Sequence, residues 1–133
     1  MLVVNVLWFG YAFYSFGVRA RRTVGMLVRK ESRGELSYEA LVGSLRFLGG
    51  MNLGAAVLSL ASLMHAEAGG RPLVFFASMV AHASQLAFNV PFALRGGRTG
   101  GAPWDVLSGP MAFVFAMDAA CTIANGVALC ASW

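Results

Sequence analysis

His82 and Asp118 are the side chains of this sequence best suited to chemistry, an imidazole and a carboxyl each set deep in a long apolar run. An ionisable group in hydrocarbon costs from about 2.5 kcal/mol upward and is normally turned toward protein and paired. In the run around His82, the residues Ser78, His82, Gln85 and Asn89 recur at i, i+4, i+7 and i+11, which at about 100° per residue forms one helical stripe. Asp118, Thr122 and Asn125 repeat the i, i+4, i+7 spacing, and Met111 and Phe115 continue their face. Two such stripes on consecutive antiparallel helices are expected to meet. Arg46, near one end of another apolar run, is the third ionisable candidate, either as a partner for Asp118 or as a cation snorkelling to lipid phosphate.

Three chemistries fit this set. His82 with Asp118 forms an acid-base pair for a lipid-soluble substrate such as a quinone, isoprenoid or sterol. His82 alone is a candidate axial ligand for a tetrapyrrole pigment, a haem or a chlorophyll-type magnesium. Asp118, His82 and Asn89 in series form a proton path. The candidate ligand-binding residues are therefore Arg46, His82, Gln85, Asn89, Asp118 and Asn125, with His82 and Asp118 the only catalytic candidates. The structural alternative is that the stripes are hydrogen-bonded glue between helices, contributing about 0.6 kcal/mol per interaction. The sequence holds no Gly-rich phosphate loop, zinc-spaced Cys/His set or nucleophile elbow. No cofactor or metal is required, although a bound lipid or pigment fits.

The elements that must position these residues follow from the charge map. Of 133 residues, 58% are hydrophobic and 12% charged, against about 25% charged in an ordinary soluble domain. Residues 1–18, 47–66 and 72–94 carry no charge, and residues 106–133 carry only Asp118. At about 20 residues per crossing, this predicts four transmembrane helices over about 1–18, 41–65, 72–94 and 106–131, in a single domain. The expected fold is an all-α, integral membrane four-helix transmembrane bundle. A helix start near Ser37, a tight turn at Ala68, Gly69 and Gly70, a flexible loop over 95–103, an interfacial anchor at Trp104 and a helix start at Asp105 or Ser108 complete the plan. A bend is expected near Phe88 to Pro91.

Arg19, Arg21, Arg22, Arg29, Lys30 and Arg33 lie between the first and second spans, and Arg95 and Arg98 between the third and fourth. The positive-inside rule makes both loops cytoplasmic and both termini non-cytoplasmic, in a multi-pass protein of the bacterial inner (plasma) membrane. The segment from Arg19 to Arg33 is expected either to extend the first helix or to lie in the head-group layer. The +4 net charge is accounted for by this topology and by anionic lipid, so no nucleic acid is expected as a partner. The apolar N-terminal stretch lacks a basic region before it and a small-residue cleavage site after it, and reads as a retained span. Cys121 and Cys130 are nine residues apart on one predicted helix, about 13 Å along its axis, beyond disulfide reach.

On the second span, Gly50 and Gly54 form a small-xxx-small pair beside Gly49 and Ala55, letting a neighbouring helix approach closely, while Asn52 is expected to point toward another helix or subunit. The run Leu45-Arg46-Phe47-Leu48-Gly49-Gly50-Met51-Asn52-Leu53-Gly54 resembles the second-helix signature of small bacterial four-helix membrane proteins of the DoxX-like kind, in which an Arg-Phe pair opens a Gly-rich span. That resemblance implies a four-helix fold and places His82, within Val80 to Gln85, where such proteins often carry an arginine. The layout is also similar to a four-helix scaffold of sterol-synthesis membranes. The expected function is a small accessory or assembly subunit of a larger membrane complex, packing through Gly49, Gly50 and Gly54. The expected partners are the lipid bilayer and other membrane subunits or further copies of the chain. The alternative is a membrane-embedded binding protein or enzyme for a lipid-soluble ligand, using His82 and Asp118.

Overall fold

A computed structural model describes residues 1–28, 33, 36–65, 70–94 and 106–132. Every element among the described residues is helical. They are α1 (Leu2–Phe13), a π-helical segment (Tyr14–Val18), α2 (Ala20–Leu27), α3 (Leu36–Met64), α4 (Arg71–Leu94) and α5 (Gly109–Cys130). The turn at Ala68 and Gly69, the loop over 95–103, the Trp104 anchor, a start at Asp105 and residues 29–32 of the basic stretch lie outside the described residues.

Three helices are long and apolar enough to cross a membrane: α3, α4 over Arg71–Pro91, and α5. At 1.5 Å per residue, the 29 residues of α3 and the 22 of α5 span about 43 and 33 Å, against a hydrocarbon core of about 30 Å. The run Leu2–Val18 is apolar but shorter. The structure starts the second apolar helix at Leu36, beside the expected Ser37, and carries α4 through Pro91 to Leu94. Helix α5 begins after Ser108, with Gly109 in the left-handed region at φ +55° and Pro110 in the first turn, where its missing N–H costs nothing.

The chain folds as two compact units, Leu2–His65 and Ala66–Trp133, with Met1 belonging to the second. In the first unit α1 packs along α3, and α2 folds against the start of α3. Gly17 meets Gly49, while Ala20 and Val24 cluster with Tyr38 and Val42. Residue numbers thus rise along one side of the contact as they fall along the other, which makes the pairing antiparallel. Buried Leu2, Asn5, Phe9 and Ala12 give the inner face of α1 at helical spacing.

The join between α1 and α2 has a specific construction. Arg19 N–H donates to the Tyr14 carbonyl at 2.9 Å, five residues back, which is the π-helical pattern. The Ser15 carbonyl accepts the Thr23 hydroxyl at 2.7 Å, and Arg19 adopts φ −101°, ψ 22°, outside the helical well. The chain therefore turns at Arg19 instead of running on straight. The part of the basic stretch from Ala20 to Leu27 is a separate helix, clamped to α3 by the Tyr38 hydroxyl donating to the Arg21 carbonyl at 3.0 Å. Arg21 and Glu39 add a bidentate pair at 2.8 Å on the exposed side. Arg33 donates to the Val28 carbonyl at 3.2 Å and to the Gly25 carbonyl, supplying cationic donors to the last carbonyls of α2.

The α3 glycines have different roles. A Cβ on Gly49 would run into the backbone N and Cα of Gly17 and the carbonyl carbon of Phe16. Gly49 thus lets another helical segment of the same chain approach closely. Gly50 and Gly54 are exposed with open space where a side chain would stand. The Asn52 amide donates to the Leu48 carbonyl of its own helix at 2.8 Å.

Candidate functional site

The second unit is an α4–α5 hairpin, antiparallel because His82 meets Asp118 while Met79 lies against Gly126. His82 Nδ1 lies 2.8 Å from Asp118 Oδ1, and their side chains are 2% and 6% exposed. The two polar stripes thus meet at this pair, near the middle of both helices. Asp118 takes His82 as its partner; Arg46 is exposed on α3 in the other unit.

The stripes are buried at most positions but not all. Ser78, His82 and Asn89 on α4, and Asp118 and Asn125 on α5, are buried. Gln85, on the same stripe, is exposed. Three of the polar side chains also bond within their own helix. Asn89 Nδ2 donates to the Gln85 carbonyl at 2.9 Å, Thr122 Oγ1 to the Asp118 carbonyl at 2.7 Å, and Asn125 Nδ2 to the Cys121 carbonyl at 2.9 Å. Each such bond satisfies a side-chain donor in an apolar setting.

Chemically, a carboxylate on Nδ1 fixes the ring orientation and the tautomer of an imidazole, the arrangement that both general bases and metal-ligating histidines use. No group of three or more His, Cys, Asp or Glu capable of holding a metal ion occurs among the described residues. Any pigment ligation would rest on His82 as a single axial ligand. Cys121 is buried and Cys130 exposed, both as free thiols.

Comparison with protein-family models, with curated proteins and with solved structures finds no match to this chain.

Two buried polar residues of the first unit were not anticipated from the sequence: Asn5 at 0% exposure on α1 and Ser59 at 1% on α3. For Asn5 the signal was present, since Asn5, Phe9 and Ala12 follow the i, i+4, i+7 spacing of a buried face.

Proposed function

We propose that this chain is a small accessory or assembly subunit of a larger integral membrane complex, docking through the open glycine face of α3. The observation that carries the reading is the contrast among neighbouring glycines. Gly49 is filled from within the chain by Gly17, whereas Gly43, Gly50 and Gly54 have nothing within 4 Å of where a Cβ would stand. Glycine in a spanning helix gives up side-chain packing, and it is favoured where a second backbone comes close. Phe47, Met51, Val57 and Leu58 project from the exposed part of the same helix. The three long apolar helices support a membrane component.

The prediction is that Gly50→Leu or Gly54→Leu frees the protein from its protein partner in mild-detergent co-purification while the protein still inserts. Undiminished co-purification of both variants contradicts it.

In this reading Leu2–Val18 is a fourth crossing, its 17 residues being at the short end for a span. The protein is multi-pass in a bacterial-type plasma membrane, with the arginine-rich segments cytoplasmic and both termini outside. Cys130, exposed near the end of α5, tests that orientation. A membrane-impermeant maleimide is expected to label Cys130 in intact cells, and labelling only after permeabilisation would reverse the topology.

A second reading is favoured by one specific observation, the 2.8 Å contact of His82 with Asp118 in buried surroundings. It makes the hairpin a site for a lipid-soluble ligand, in which His82 moves a proton and Asp118 orients it.

A further inference from the structure

The structure assigns a second surface to α2, and we infer that its outer face binds the phosphate of an anionic phospholipid head group. The inference rests on the membrane reading of Leu2–Val18, but not on the docking role of α3. Helix α2 buries Ala20 and Val24 against Tyr38 and Val42. Arg22 and Met26 lie four residues apart on α2, nearly opposite that buried face, and Arg19 stands at the helix N-cap, three residues before Arg22. All three are exposed.

The cations on this helix are already divided by their partners. Arg21 is engaged by Glu39 through two 2.8 Å bonds, so its charge is neutralised at the site. Arg19 stacks over the Tyr14 ring, its Cζ 5.0 Å from the centroid. Stacking uses the face of the guanidinium and leaves its in-plane N–H donors for an oxyanion. Among the described acids, Glu39 pairs with Arg21 and none pairs with Arg19 or Arg22.

Position supplies the rest. The apolar run Leu2–Val18 ends immediately before Arg19, which sets Arg19 and Arg22 at the hydrocarbon boundary, at the depth of the head groups. The Tyr38 hydroxyl on the Arg21 carbonyl and the Thr23 hydroxyl on the Ser15 carbonyl fix the helix before any lipid arrives. A lipid phosphodiester thus meets two guanidiniums about one turn apart on a pre-ordered helix, the donor geometry that arginine offers phosphate. Charge complementarity and depth together select a lipid head group over a soluble anion.

The test uses the full chain reconstituted in phosphatidylcholine bilayers of symmetric composition, with trace spin-labelled phosphatidylglycerol or phosphatidylcholine. The motionally restricted fraction gives the relative association of the two lipids. Wild type is expected to prefer phosphatidylglycerol, and Arg19→Gln/Arg22→Gln to lose up to about thirtyfold of that preference, at about fivefold for each basic side chain removed from an anionic surface. Arg19→Lys/Arg22→Lys is expected to keep most of it. The charge-matched Arg95→Gln/Arg98→Gln variant is expected to stay within about twofold of wild type, since screening confines such attraction to the immediate surroundings of each charge. Equal losses in the two glutamine variants would reduce the effect to net charge and overturn the assignment. Abolition of the preference by inorganic phosphate at constant ionic strength would also overturn it, in favour of a soluble-anion site. Symmetric bilayers make the result independent of orientation, and loss of partner docking in the α3 variants leaves it unchanged.

Discussion

Asp118→Ala is expected to destabilise the α4–α5 hairpin by about 1–3 kcal/mol, the cost of leaving a buried polar group without its hydrogen-bond partner. Its cause is the imidazole left behind. His82 is 2% exposed at its side chain and meets Asp118 Oδ1 at 2.8 Å, so the truncation removes its Nδ1 partner in surroundings closed to water. His82→Ala has the same consequence for the carboxyl. Replacing both, as His82→Leu/Asp118→Leu, removes both polar demands at once and is expected to recover most of the loss, since an apolar pair of similar volume packs without desolvation. Thermal unfolding of the purified variants in one detergent measures all three. Single variants as stable as wild type would show that the pair does not hold the hairpin. A double variant as unstable as either single would mean that the pair contributes more than its own satisfaction.

Gly49→Ala is expected to cost about 1–3 kcal/mol, the range for forcing extra volume into a packed contact. The new methyl would strike Gly17 N and Cα, which are backbone and cannot rotate away. Either α1 lifts from α3 or the π-helical segment Tyr14–Val18 re-forms. The adjacent Gly50→Ala change meets nothing within 4 Å and is expected to leave stability unchanged or slightly raised, because alanine is the better helix former. The pair of substitutions, one residue apart, separates glycine needed inside the chain from glycine open to the outside. Equal melting temperatures for the two variants would contradict that division.

The long helices were legible because their signal is local. Absence of charge over 72–94, and over 106–131 apart from Asp118, is enough to mark spans, and the structure returns α4 at Arg71–Leu94 and α5 at Gly109–Cys130. The meeting of His82 with Asp118 was legible for a related reason: two polar residues in apolar helices have few other places to go. The first unit was less so. The expected single run over 1–18 is an α-helix, a π-helical segment and a turn at Arg19, and nothing in the spacing of Tyr14 to Val18 announces an extra residue per turn. It accompanies the close Gly17–Gly49 approach, a contact between residues more than 30 positions apart. Gly49 and Gly50 illustrate the same limit. They are adjacent and identical in sequence, and only the crossing of α3 with the π-helical segment separates their roles.

Thus one buried His–Asp contact holds α4 to α5, one glycine crossing holds the first helical run to α3, and the glycines left over on α3 face outward. Native mass spectrometry on the wild type and on Gly50→Leu/Gly54→Leu, each released from its own membrane in mild detergent, tests the docking role most directly. The account predicts a wild-type mass that includes a second membrane protein, and loss of that mass in the double variant with the chain itself intact. The same mass for both proteins, whether with or without a partner, would contradict it.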